Sequence, residues 1–162
     1  MFSPSTLAGL RRMAAQHMAA HPKPDFIVGS AANPYLHRWW LTPRDEQAGV
    51  YLHQFWRSDD DRALHDHPYE STSIILEGQY IEHLAHGVAE LRQRGWVGSR
   101  SATEAHRIEL LNDAKGRPLP VTTLFLHGPR VREWGFYCPR GWVPWQEFLG
   151  GDIASDRGVG CG

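Results

Sequence analysis

The first twenty residues carry their apolar side chains in helical steps. Leu7, Leu10, Ala14 and Met18 recur at three- and four-residue intervals, which places them on one face of a 3.6-residue repeat. Ser3 stands before the run as a cap, Pro4 suits the first turn, and Pro22 and Pro24 stop it. A helix is expected over residues 4–20.

Beyond this point the pattern shortens to period two and stays there. Strands are expected at residues 35–41, 50–56, 71–76, 80–84, 88–94, 106–111, 121–126 and 133–137. Thr42-Pro43, the polar turn at residues 58–61, Glu77-Gly78, Gly87, Gly95, Asn112-Asp113, Gly116, Pro118 and Gly128-Pro129 separate them. Short strands at this spacing predict a sandwich or barrel rather than alternating strand–helix units. The expected fold class is therefore mainly β: a single-domain jelly-roll barrel with an N-terminal helix packed outside. Residues 1–24 form the helical segment, 25–149 the barrel (ending in a short helix near 144–148), and 150–162 a glycine-rich tail expected to be disordered.

A chain of 162 residues suits one domain with a real core, and a formal charge of −1 gives no support to nucleic acid or an anionic membrane as partner. No run approaches the roughly 20 apolar residues of a membrane span, and Arg11-Arg12 lacks the apolar stretch of a signal peptide. The two cysteines, Cys138 and Cys161, cannot make a disulfide framework, so a reducing, cytoplasmic compartment is expected. Exposed strand edges and seven tryptophans favour a homodimer. Trp134, Trp142 and Trp145 are expected at the barrel mouth or a subunit interface, with an aromatic substrate cage as the alternative.

Ten histidines change the picture through their placement. In His65-Asp66-His67 the strand period puts both imidazoles on one face, where they can share a metal ion. After His67 come three residues, Ser71, six residues and Gly78; after Gly95 come five residues, Ser101, Ala102, Thr103, two residues and His106. This spacing resembles the two motifs of the cupin superfamily, Gly-x5-His-x-His-x3-Glu-x6-Gly and Gly-x5-Pro-x-Gly-x2-His-x3-Asn, with a short interval between Gly78 and Gly95. The likeness covers roughly residues 50–137. It implies a cupin double-stranded β-helix and a single divalent metal ion held by His65, His67 and His106.

The departures alter the implied chemistry. Asp59 stands at the first motif's opening glycine, Ser71 at its metal-binding glutamate, Ser101 and Thr103 at the second motif's proline and glycine, and Leu110 at its asparagine. Without the glutamate the metal keeps its full charge, and the set is similar to that of thiol dioxygenases, which hold ferrous iron through three histidines. Fe(II) is the favoured ion, with Zn, Mn or Ni as alternatives. Glu70 neighbours Ser71, and a bulge would swing its carboxylate to the metal as a fourth ligand.

Other residues complete the candidate site. His53, with Tyr51 and Phe55 on its face, is a candidate acid/base group, although a lone strand histidine is more often structural. Tyr80 and Glu82 share a face just after Gly78, and Tyr80 is a second catalytic candidate. Ser71 and Ser73 either leave room for substrate or fill a barrel taper. Arg132 and Tyr137 correspond in type to the arginine and tyrosine near the iron of thiol dioxygenases, giving a substrate-binding and a catalytic candidate. The expected function is a non-haem Fe(II) dioxygenase of a small polar or thiol substrate. A redox-inert metal isomerase, lyase or hydrolase and a non-catalytic ligand-binding barrel stay open beside it.

Overall fold

The computed structural model describes residues 3–43, 47–59, 62–152 and 158–162. Helix α1 spans Pro4–Ala20, with Ser3 accepting the Thr6 amide as its cap. Twelve strands follow: β1 (Phe26–Gly29), β2 (Pro34–Trp40), β3 (Gly49–Phe55), β4 (Leu64–His65), β5 (Ser71–Glu77), β6 (Gln79–Leu84), β7 (Ala89–Gln93), β8 (Val97–Arg100), β9 (His106–Leu110), β10 (Val121–His127), β11 (Gly135–Cys138) and β12 (Gly141–Pro144). A last turn of helix, α2, covers Trp145–Phe148.

The strands form two six-stranded antiparallel sheets, in the orders β1-β2-β3-β10-β5-β8 and β12-β11-β4-β9-β6-β7. This is the mainly β jelly roll expected from the period-two pattern. Strands β1, β4, β8 and β12 were not anticipated. They have two to four residues each, too few to show a period.

Alternation decides what each face buries. Leu52, Ile74, Leu76 and Leu124 point out of the first sheet and pack under Ala14 and Trp39, with Leu7, Leu10 and Met18 of α1 laid over them. The Trp39 indole donates to the His21 carbonyl at 2.7 Å and ties down the helix end. Inside the barrel Phe55, Ile75, Tyr80, Ile108, Leu110 and Val121 fill one end. Each such buried aliphatic side chain stabilises the fold by roughly 1.5–3 kcal/mol. The cavity that holds the histidines reaches down to this core, where Phe55, Tyr80 and Ile108 also line it.

Two motif glycines make tight returns between the sheets. Gly78, with φ of +81°, joins β5 to β6, and an added Cβ would meet the Pro120 carbonyl oxygen at 2.9 Å. Gly95 has φ of +89° between β7 and β8, a conformation that side chains disfavour.

The tail corrects the expectation drawn from the cysteine count. Cys138 and Cys161 form a disulfide across 23 positions of sequence. A third core of Ala63, Phe136, Cys138, Val143 and Phe148, joined by Cys161, explains it: the tail is drawn under β11 and β12 by apolar packing. The Gly160 amide donates to the Phe148 carbonyl at 2.9 Å, and Arg62 donates to the carbonyls of Gly158 and Val159. The expected disorder over 150–162 therefore does not describe Gly158–Gly162, while residues 153–157 of that stretch, like residues 60–61 of the expected polar turn, lie outside the described residues.

Candidate metal centre

His65 ends β4, where its backbone pairs with His106 on one side and Phe136 on the other. Two positions on, the His67 amide donates to the Ala102 carbonyl at 3.2 Å. The three imidazoles form a nearly equilateral triangle, with ring centroids 5.2, 5.0 and 5.1 Å apart. One nitrogen from each lies within 4.8 Å of the others, so the spacing read from the sequence brings all three donors to one point.

Asp66 explains why the pair on either side of it is held so firmly. Facing away from its neighbours, it is wholly buried and accepts hydrogen bonds from the Gly135 amide at 2.8 Å, Trp142 Nε1 at 3.0 Å and the Tyr137 hydroxyl at 3.3 Å, besides an ion pair with Arg132. Burying a carboxylate demands such partners. They also clamp the segment between the two histidines to β11 and β12.

Across the triangle, His106 Nδ1 donates to Glu82 Oε1 at 2.8 Å. The ring proton therefore sits on Nδ1, and Nε2 carries the free lone pair. Glu82 is 1% exposed. Its other oxygen accepts from Arg92 Nε at 2.8 Å, and Arg100 shares Oε1 with His106. Burial works against its charge, but His106, Arg100 and Arg92 outweigh that and hold its pKa down at about 2.

Burial pushes His106 itself down to about 4, with the Arg100 and His65 charges adding to the effect and Glu82 opposing it. His67 is held well below the usual imidazole range, again by burial first and by the charges of His106 and His65 after it. Both rings are neutral near pH 7, the form that binds metals. His67 Nδ1 is buried with no hydrogen-bond partner among the described residues. Such an orphan costs roughly 1–3 kcal/mol, and it is the feature expected of an imidazole whose partner is an ion. The donor set fits a divalent metal.

The triangle opens on a cavity of about 440 Å³ between the sheets. His53 lines the facing wall as expected, but its Nε2 accepts from Arg38 Nε at 2.8 Å and its ring stacks on Phe125 at 4.8 Å. Burial, then Arg38 and His127, keep it neutral. Tyr80 and Ser73 also line this space. Burial raises the Tyr80 hydroxyl pKa and Glu82 raises it further, so the phenol stays protonated.

Four expected site residues lie elsewhere. Arg132 and Tyr137 spend their polar groups on Asp66, on the outer side of the His65–His67 segment, because β11 runs past that face of β4. Glu70 is exposed and lies outside the metal-competent triad; no bulge turns it inward. Ser71 is buried against Arg100 across the strand pair and lines, with Glu70, a second depression, whose lining shares Arg100 with the cavity but not the histidine triad. Of the tryptophans, Trp134 lines the cavity 6.3 Å from His65 and stacks on Trp145, whereas Trp142 caps Asp66.

Glu82, read from the sequence with Tyr80 as a candidate pocket residue, is instead the positioning residue behind His106. Its strand period, shared with Tyr80, already turned it inward, and an interior carboxylate requires cationic partners. Arg92 and Arg100 carried no such mark, since charged residues near turns are usually solvated.

No family model and no curated protein matches the sequence. Solved structures do match. The chain is similar to a cupin-like protein from Thermotoga maritima, at 13% identity and a TM-score of 0.50 over 83% of this chain and 95% of that one. An RmlC-like cupin from Shewanella frigidimarina matches at 14% identity and a TM-score of 0.47 over 65% of this chain and 85% of that one. A DMSP lyase from Ruegeria pomeroyi matches at 14% identity and a TM-score of 0.46 over 60% of this chain, which spans about half (49%) of the lyase. At these identities the likeness is one of fold, the double-stranded β-helix.

Proposed function

We propose that this chain, a cupin by fold, is a mononuclear metal-dependent enzyme, and specifically a non-haem Fe(II) dioxygenase of a small polar substrate, thiols included. The observation that supports this most is the near-equilateral triangle of His65, His67 and His106 at the edge of a cavity of about 440 Å³. Three imidazole donors on one side leave the opposite side for exogenous ligands. A ferrous ion held by these three imidazoles would supply the means to bring dioxygen and substrate together.

The chain's own residues supply the rest. Glu82 fixes the His106 tautomer, Asp66 holds the His65–His67 segment, and Phe125, Phe136 and Trp134 exclude water from the cavity walls. Tyr80 lines the cavity and keeps its hydroxyl protonated. That same hydroxyl favours a second reading, in which a redox-inert ion polarises the substrate and Tyr80 donates a proton, as a lyase or isomerase requires.

Anaerobic reconstitution with iron, followed by oxygen-electrode measurements across a panel of thiols and small acids, separates the two. Substrate-dependent oxygen uptake is expected. Turnover with Zn or Mn and no oxygen uptake would establish the second reading instead.

A homodimer is proposed as the assembly, to be tested by sedimentation. Among the described residues no helix is long and apolar enough to cross a membrane. The cytoplasmic setting is kept as a proposal, against which the Cys138–Cys161 disulfide weighs, because cytosolic reductants keep thiols reduced. Thiol counting on freshly lysed cells decides it.

A further inference from the structure

We infer that the Cys138–Cys161 bridge is a site of thiol modification that works as a clasp: it holds the tail backbone in the cavity wall, and its reduction opens the His65 side of the metal site. The consequence for the metal rests on the reading above, while the clasp itself needs only the cavity.

Position comes first. Gly158 of the tail and Leu149 line the same cavity as His65, His67 and His106. Ring contacts lead there from the metal centre, since His65 lies 5.8 Å from Phe136, which stacks on Phe148 at 3.7 Å. Gly158 is pressed onto the junction of Phe148 and Leu149, where an added Cβ would meet the Phe148 carbonyl oxygen at 2.3 Å. Nothing larger than glycine fits, so the tail reaches the cavity as bare backbone.

The bridge decides whether that backbone stays. Gly158, Gly160 and Gly162 bring no side chain, and Val159 is 68% exposed. Among the described tail residues Cys161 is therefore the apolar anchor, packed with Phe136, Cys138 and Phe148. Beside it the Gly160 amide donates to the Phe148 carbonyl at 2.9 Å, and Arg62 donates to the carbonyls of Gly158 and Val159 at 3.3 and 3.4 Å. Hydrogen bonds of this kind return less free energy than ordering the backbone of such a tail costs. With the covalent link gone, the tail leaves the wall at Leu149.

The chemistry is thiol–disulfide exchange with a small thiol. Cys138 is buried and Cys161 half-buried, so an incoming thiolate meets Cys161 first. Its sulfur bonds to Cys161 Sγ, the Cys138–Cys161 bond breaks, and Cys138 departs as a thiolate that takes up a proton. A second thiolate then bonds to the sulfur of the first, and Cys161 departs and is protonated in turn. One protein disulfide and two small thiols become two cysteine thiols and one small disulfide. The reverse sequence closes the clasp.

The test uses the full-length protein, with reduced glutathione as the thiol and diethyl pyrocarbonate as the probe of imidazole access. In the metal-free protein glutathione is expected to release the bridged cysteines as free thiols, none being free beforehand. It is also expected to speed modification of His65 and His67 by about fivefold or more, read by peptide mass spectrometry. His127, buried but outside the cavity lining, reports general loosening and is expected to keep its rate. Cys161→Ser is expected to match the reduced wild type and to ignore glutathione; if it does not fold, the oxidised and reduced wild type carry the comparison. In Co(II)-loaded protein, reduction is expected to speed the loss of metal to excess EDTA. A bridge that glutathione leaves intact, triad rates unchanged on reduction, or a parallel rise at His127 overturns the inference and leaves the metal reading intact. A wild type that binds no Co(II) overturns the metal reading, and the histidine rates still decide the clasp.

Discussion

Glu82 Oε1 and His106 Nδ1 lie 2.8 Å apart in the buried wall between β6 and β9. The carboxylate that the cupin motif places directly on the metal is absent at Ser71, and here a carboxylate acts one bond further out, through an imidazole. Such partners fix ring orientation and raise ligand basicity, and their loss typically costs 10- to 100-fold in metal affinity. Glu82→Gln is expected to weaken metal binding by about that factor, read by competition with a chromophoric chelator. Unchanged affinity in a folded variant would show that Glu82 serves only to neutralise Arg92 and Arg100.

Removing a ligand should act more sharply. His65→Ala and His106→Ala are each expected to bring metal content from one ion per chain to near none by elemental analysis. His83→Ala, whose ring instead pairs with Glu109 at 2.6 Å, should retain the ion. Retention of metal in both triad variants would count decisively against the site.

The pH response of the metal-free protein follows from burial. His106 has a folded pKa of about 4 against an ordinary 6.5, and His67 is lowered too. The unfolded chain therefore binds more protons than the folded one below pH 6.5. The stability these groups contribute is present above that value and is lost as pH falls from about 6.5 to about 4. Glu82, lowered from 4.5 to about 2, keeps its charge in the folded protein through that window, and its contribution, full above about 4.5, is lost as pH falls from there to about 2. Urea midpoints at pH 7 and pH 4.5 should show the first loss, and bound metal should be released over the same range. A midpoint independent of pH would mean that the rings are not desolvated.

Arg132 and Tyr137 belong to the support of Asp66. Tyr137→Phe is expected to leave metal affinity within about twofold, since its hydroxyl sits 3.3 Å from Asp66 and outside the cavity lining. Arg132→Ala deprives a buried carboxylate of its ion pair and should cost on the order of 2–4 kcal/mol in urea unfolding. A large loss of substrate turnover in a fully stable Tyr137→Phe protein would return that residue to the active site.

The Cys138–Cys161 bridge closes a loop of 23 positions. By loop-closure entropy Cys161→Ser is expected to lower stability by about 3 kcal/mol. It should also expose the tail to limited proteolysis. Equal stability of the oxidised wild type and the serine variant would mean that the bridge does not constrain the unfolded chain.

Much of this architecture was legible in local patterns. Apolar steps of three and four marked α1, period two marked the longer strands, and the spacing from His65 to Gly78 and from Gly95 to His106 marked the triad. These features survive in one dimension because repeat geometry alone decides which side chains share a face, and because turns at Gly78 and Gly95 need a positive φ wherever they occur. Tertiary structure decided the remainder. Whether Arg132 or Arg100 reaches the cavity, whether Glu70 or Glu82 serves His106, and whether Cys161 finds Cys138 all depend on which strands become neighbours across sequence gaps of tens of residues. Pairing of that kind follows from burying one common core, and no local pattern records it. The three histidines were determined by the sequence; the carboxylate and guanidinium that tune them were determined by the fold.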